Sequence, residues 1–237
     1  MPQAVLLNNV DHKHLRVIRE HGAAYGDDVM FANTFPAEFR QLQASYPIVF
    51  RPTPDGSFEA IALFGLQAAE NLFLGADGWD AHYVPLAIER QPFLIGVAGE
   101  ELTVHVYLDS PRISQNADQG EALFLPYGSP SPFLDHMNST LLALHQGLLS
   151  MPAFIGALRE LELLEPFVFE AQLDDGSQRR LEGFYTIHEE RLNALAGHAL
   201  EALNRAGYLQ PIYMAIASLS NFRTLIDRKN RTHAGSR

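Results

Sequence analysis

Ten histidines, 28 acidic side chains and no cysteine make up the reactive inventory of this 237-residue chain. Without cysteine there is no thiolate zinc site, no iron–sulfur cluster, no thiol nucleophile and no disulfide. His12 and His14 are spaced so that, in an extended segment, both would face the same way with Asp11 beside them. No H-E-x-x-H or comparable partner follows, so no metal is expected. His82, His105, His136 and His188 are isolated; His145, one turn after Leu141, reads as a core histidine. The adjacent carboxylates Glu100-Glu101, Asp174-Asp175 and Glu189-Glu190 fall at expected turns and helix starts, where local hydrogen bonding and the helix dipole account for them. There is no G-x-S-x-G elbow. Ser129 and Ser131 lie among prolines, which suits a rigid loop better than a strained nucleophile turn. Neither G-x-x-x-x-G-K-[ST] nor G-x-G-x-x-G occurs, so phosphate cradles have no support and no cofactor is expected.

One segment stands apart. Asn71–Phe93 holds the single tryptophan, Trp79, followed by Tyr83, Arg90 and Phe93. Aromatic faces beside an arginine suit an anionic or planar ligand, and these four are the candidate ligand-binding residues. The competing reading is that Trp79 and Tyr83 simply pack over a sheet edge.

The elements that must position these residues follow from pattern. Hydrophobic residues make up 47% and charged residues 19%, which excludes a disordered chain. The formal charge of −11 disfavours nucleic acid as partner, because phosphate contact needs a basic face. No basic n-region precedes the short apolar run at Ala4–Leu7, and Gly, His or Gln interrupts the richest apolar windows. A cytoplasmic protein without membrane insertion is therefore expected.

Ala4–Leu7 reads as a strand, and a helix begins at Pro36 with Phe39, Leu42 and Tyr46 on one face, ending before Pro47. Ile48–Phe50 and Phe58–Phe64 pair across a Pro/Asp-Gly turn. Leu102, Val104, Val106 and Leu108 alternate with polar residues, with Phe93–Val97 as hairpin partner across Gly99-Glu100. Residues 110–131 are loop-like. Phe133, Met137, Leu141, Leu144 and Leu148 mark one helix, and Pro152 opens another. Phe167–Leu173 and Leu181–Ile187 flank Asp174-Asp175-Gly176 as a hairpin. Helices follow at 189–195 and 199–205, with Gly207 as C-cap, and a last one runs on from Pro211 through Ile226. The expected class is α+β: a mainly antiparallel sheet with helices concentrated in the C-terminal half, in one domain over 1–237 whose only candidate seam is the 110–131 loop.

An ordered set of short runs resembles the SapC family. It comprises His14-Leu15-Arg16-Val17, Tyr46-Pro47-Ile48-Val49-Phe50, Ala62-Leu63-Phe64-Gly65-Leu66, Glu70-Asn71-Leu72-Phe73, Trp79-Asp80-Ala81-His82-Tyr83-Val84-Pro85 and Pro92-Phe93. Leu123-Phe124 with Gly128 and Pro130, Gly183-Phe184-Tyr185, Leu192-Asn193-Ala194-Leu195 and Ser218-Leu219-Ser220-Asn221-Phe222 continue it. The chain departs from the family at Glu89-Arg90-Gln91, where paired arginines and a tyrosine are usual, and at Ser131, where threonine is more common. The resemblance implies a bacterial accessory protein, of a kind encoded beside TonB-dependent receptors, flavin-dependent tryptophan halogenases and cupin-like oxygenases. It carries over no catalytic residue.

Two functional classes remain: a binding or accessory protein, whose protein or small-molecule partner the residues do not specify, and an enzyme with dispersed catalytic groups acting on a peptide or aromatic small molecule. The histidine spacing generates one expectation. Protein purified without chelator should carry no stoichiometric transition metal by elemental analysis, and a metal lost on His12→Ala would contradict it.

Overall fold

The computed structural model describes residues 4–98 and 101–234. The expected Gly99-Glu100 turn, the first carboxylate of the Glu100-Glu101 pair and the last three residues lie outside them. The fold is α+β, with antiparallel pairing throughout the described sheets and most helices in the C-terminal half.

The chain forms two compact units. The first comprises Met1–Asp27, Leu74–Trp79 and Leu86–Gln146; the second comprises Asp28–Phe73, Asp80–Pro85 and Gly147–Arg237. The divide does not fall at the 110–131 loop, which lies wholly in the first unit.

In the first unit, Ala4–Leu6, Glu101–Tyr107 and Phe93–Ala98 form a three-stranded sheet in that spatial order. The alternation expected at 102–108 holds only in its middle: Val104 and Val106 turn to a core shared with Leu15, Val17, Phe93, Leu134, Met137 and Leu141, whereas Leu102 and Leu108 are exposed. Two-residue strands at Ile113–Ser114 and Glu121–Ala122 flank Arg16–Val17 and tie the long loop down.

The second unit is built on a five-stranded sheet. Its order is Leu164–Gln172, Gln178–Ile187, Ile48–Pro52, Phe58–Leu63, Phe31–Thr34. The edge strand at 31–34 was not expected, because Phe-Ala-Asn-Thr offers neither a long apolar run nor clean alternation. Phe39, Leu42 and Tyr46, expected on one helical face after Pro36, are all fully buried, but the helix is shorter than expected: a 3-10 turn at Pro36–Glu38 and one α-helical turn at Phe39–Leu42, with Tyr46 beyond it. Phe154 meets Phe39, Phe50 and Tyr208 ring to ring at 5.3–6.4 Å. Phe222 stacks on Phe169 at 4.3 Å, seating the C-terminal helix on the 164–187 hairpin.

Two of the longer helices also differ from expectation. Residues 132–160 form one helix with Pro152 inside it, not two. Leu134, Met137, Leu141, Leu144, Met151, Phe154 and Leu158 are buried at a nearly constant three- and four-residue spacing. Pro152 removes one amide donor, but it lies on the exposed side, where water can take the freed carbonyl. Leu148, expected on the buried face, is 40% exposed, and Gly147 is buried in its stead. The last helix is two, Leu209–Ser218 and Asn221–Ala234, parted at Leu219-Ser220. Contrary to the reading of interrupted windows, the 132–160 helix is long and apolar enough to cross a membrane, with mean hydropathy 1.5; 39% of that window is buried within the structure.

Gly147 shows how tightly this helix is seated. A Cβ there would lie 2.2 Å from the buried Phe35 ring, whereas one at Gly156 meets nothing within 4 Å. Gly147→Ala should therefore lower stability by about 1–3 kcal/mol through overpacking. Gly156→Ala should raise it by up to ~1 kcal/mol through helix propensity. Thermal melts of the two variants should move in opposite directions.

Candidate functional site

The densest polar cluster lies in the first unit, in residues 18–27, part of the charged, glycine-punctuated stretch Asp11–Asp28 that the sequence presents as a loop or edge segment. A single 3-10 turn at Ala23–Tyr25 closes on Gly26, whose φ of 82° is one that glycine adopts without strain. The turn points Asp27 inward, where its residue is fully buried. Arg112, itself 2% exposed, meets it from the neighbouring chain segment, positioned by the bond from the Ile18 amide to the Arg112 carbonyl at 2.8 Å.

The Arg112 guanidinium is almost fully employed. Nη2 donates to both Asp27 oxygens at 2.7 and 2.6 Å, and Nη1 donates to the Ile18 and Glu20 carbonyls at 3.3 and 2.8 Å. Its Cζ lies 5.4 Å from the centre of the Tyr25 ring, and Nε is buried with no partner among the described residues. Asp27 also accepts the Gly22 amide at 2.9 Å and lies 3.1 Å from His21 Nδ1. Burial pushes the Asp27 carboxyl up, but His21, the Gly22 amide and Arg112 together outweigh it and hold it below the usual carboxylate range. The His21 ring meets Trp79 edge to face at 5.5 Å. Desolvation, then the hydrogen bond to Glu20 at 3.2 Å, pushes the Tyr25 phenol up. Tyr25 and Glu20 border a cavity of about 370 Å³ whose far wall includes Arg19, Asp118, Gly120 and Glu121.

The four sequence candidates fall in different settings. Trp79, at the end of the short strand Gly78–Trp79, is half-buried on His21. Arg90 and Phe93 are joined directly: Arg90 Nη1 donates to the Phe93 carbonyl at 2.5 Å, and the Phe93 amide donates back to the Arg90 carbonyl at 2.8 Å. Phe93 belongs to the core of the first unit. Burial lowers the Arg90 guanidinium, opposed by Tyr107. Tyr83 belongs to the second unit, where its hydroxyl donates to Glu38 Oε1 at 2.9 Å. Glu38 is buried and also takes the Thr34 hydroxyl at 2.6 Å.

The histidine pair is not arranged as a same-face set. Residues 9–14 form turns; His12 is buried and accepts the Asn8 amide at Nδ1 (3.0 Å), while His14 is exposed. Among the described residues, no three histidine or carboxylate side chains gather as a metal site would require. Ser131 caps the long helix: its hydroxyl accepts the Leu134 amide at 3.2 Å and donates to the Ala122 carbonyl at 2.6 Å. A threonine would serve the same cap. Glu89, in the Glu89-Arg90-Gln91 departure, pairs with His136 at 2.9 Å.

Family-like residues of the second unit hold loops in place. Glu70 pairs with the buried Lys229 and accepts the Leu66 amide at 2.9 Å. A Cβ on Gly65 would lie 2.3 Å from the Glu70 carbonyl, so only glycine fits there. Arg228 lies over Phe73 at 4.3 Å and donates to Asp80 at 2.7 Å, holding that carboxyl below its usual range.

His21, Asp27 and Arg112 escaped the sequence reading because 85 residues separate Asp27 from Arg112. The available signals were weak: a lone arginine after Pro111 in a loop, and Asp27 one residue after a glycine.

The fold and this cluster define a two-unit α+β protein whose most elaborate polar site is a buried arginine–carboxylate pair edged by histidine and tryptophan. The chain belongs to the SapC family: the family model described as SapC matches residues 7–225. No curated protein and no solved structure matches the chain.

The buried pair makes a sharp prediction. Asp27→Asn leaves Arg112 buried and unpaired, and should cost about 3–5 kcal/mol in a denaturant titration followed by the fluorescence of Trp79. Because the folded Asp27 carboxyl is depressed, its stabilisation is present above the unfolded carboxylate value (about 3.9) and is lost as pH falls through the lower folded value. Wild type should show this acid-side loss, and Asp27→Asn should lack that component of it.

Proposed function

We propose that this is a non-catalytic binding or accessory protein of a bacterial cytoplasm. It would serve the TonB-dependent uptake and flavin-dependent halogenase systems that proteins resembling it are encoded beside. The observation that carries the reading is the state of Asp27. The acid in the most elaborate polar cluster is held ionised by a buried guanidinium, an amide and an imidazole. It is thereby removed from proton transfer near neutral pH. General acid–base work uses groups displaced toward the operating pH. Asp27, Asp55 and Asp80 are held on the other side, below the usual carboxylate range, by their hydrogen-bond and cationic partners. A binding role asks less of the site: a preformed recess with a few fixed polar groups, which the cavity beside Tyr25 offers. The net charge of −11 favours a protein or small-molecule partner over nucleic acid.

One observation favours the second reading, an enzyme with dispersed groups. His21 Nδ1 faces a buried carboxylate, and its side chain is 20% exposed. A carboxylate that orients an imidazole is a recurring arrangement for a general base.

The two readings separate in an activity screen on hydrolase, transferase and oxidoreductase substrates, run with a pull-down from the source cell. The expected result is no turnover, with retained partners. Turnover abolished by His21→Ala or Arg90→Ala, with the fold intact by circular dichroism, would establish the enzyme instead.

A further inference from the structure

The strand Phe93–Ala98 is the outer member of the three-stranded sheet of the first unit. Natural sheets blunt such an edge with a charge, a proline, a bulge or a cover. This strand, Phe93-Leu94-Ile95-Gly96-Val97-Ala98, carries no charge and no proline, in a chain of net charge −11. Its pairing with the inner strand runs without a register shift from Phe93↔Val106 to Ala98↔Glu101.

The backbone shows which groups face outward. Phe93 turns both of its groups away from the inner strand: its amide donates to the Arg90 carbonyl and its carbonyl accepts Arg90 Nη1. By the two-residue period of an antiparallel pair, Ile95 and Val97 turn the same way. Val104, opposite Ile95, accordingly spends its carbonyl on the Leu7 amide at 2.9 Å, on the other side. The outward amides and carbonyls of Ile95 and Val97 have no hydrogen-bond partner among the described residues. At the same end, Val97 is 65% exposed and its cross-strand neighbour Leu102 is 45% exposed.

We propose that this edge pairs with the same edge of a second copy of the chain, antiparallel, about a two-fold axis at Gly96. Arg90 occupies the outward groups of Phe93, so Ile95 and Val97 are the residues left to pair. Placing Ile95 opposite Val97 of the other copy, and Val97 opposite its Ile95, satisfies all four residues in one register. Pairing Ile95 with Ile95, or Val97 with Val97, satisfies half as many. The chosen register also sets each exposed Val97 side chain directly across from an Ile95. The edge carries no charge, so two acidic chains meet there without like charges in contact. A strand from a different protein would meet the backbone equally well, but it lacks this self-complementarity. The inference is independent of the accessory role proposed above.

The test uses the full chain in sedimentation equilibrium across a concentration series, with amide exchange read by NMR. Wild type should dimerise, and the Ile95 and Val97 amides should gain protection as the dimer forms. Val97→Pro removes an outward donor that no bond among the described residues uses, and proline is tolerated on a sheet edge. Val97→Lys sets two ammonium groups into the pairing. Each should weaken dimerisation by about tenfold or more. Leu149→Lys, at an equally exposed leucine on the long helix, should leave it unchanged. If Val97→Pro unfolds the sheet, Val97→Lys decides alone. A chain that stays monomeric across the series would overturn the proposal. So would a dimer that both Val97 variants leave intact, or one in which the two amides still exchange freely.

Discussion

A charge withdrawn from water must be given partners, and much of this fold is arranged around that requirement. Among the described residues two acids, Asp27 and Glu38, are buried and a third, Glu70, is largely enclosed, and each is met in a different way. Asp27 is met by a guanidinium, an amide and an imidazole. Glu38 is met by the Thr34 and Tyr83 hydroxyls. Glu70 is met by the Lys229 ammonium and the Leu66 amide. Each solution joins distant segments: residue 27 to 112, 38 to 83, 70 to 229. Removing one partner strands a charge in a low-dielectric interior, so these links fix the course of loops that have little apolar surface of their own. The family-like runs at 70–73 and 79–85 make sense on this footing, since several of their residues hold chain segments together.

Much of the fold was legible in the sequence, because the signals that define it are local. The Asp174-Asp175-Gly176 turn between alternating strands, the burial of Phe39, Leu42 and Tyr46, and the inward turn of Val104 and Val106 each need only a short window. The errors came where a strong local rule met a longer pattern. Pro152 reads as a helix start, yet the buried spacing from Leu134 to Leu158 carries the helix through it. The strand at 31–34 was hidden because Phe31-Ala32-Asn33-Thr34 owes its conformation to pairing with Ala60–Leu63. The polar cluster was the least legible part, since no window contains both Asp27 and Arg112. Of the four residues singled out as a ligand patch, Arg90 and Phe93 are bound to each other, Trp79 lies on His21 and Tyr83 on Glu38.

The same contacts bear on how a family without recognisable catalytic motifs is to be read. An ion pair as elaborate as Asp27–Arg112 resembles catalytic machinery in composition, but its donors and acceptors are turned on one another and on nearby carbonyls. Beside it lie a recess bordered by Tyr25 and Glu20 and one partly exposed imidazole. Recognition thus needs no group beyond those already fixed in place, whereas catalysis would need His21 to act on something brought to it.

The central sheet of the second unit has a consequence for the making of the protein. The strand Ile48–Pro52 takes one neighbour at once, from Phe58–Leu63, but the other is the strand that contains Tyr185, which pairs with Phe50. On a ribosome that adds about 5–20 residues per second, that second partner emerges on the order of ten seconds after the first. Over that interval an apolar strand stands with one side open in a nascent chain. Until residues past 187 clear the exit tunnel, its protection depends on chaperones or on transient partners rather than on its own fold.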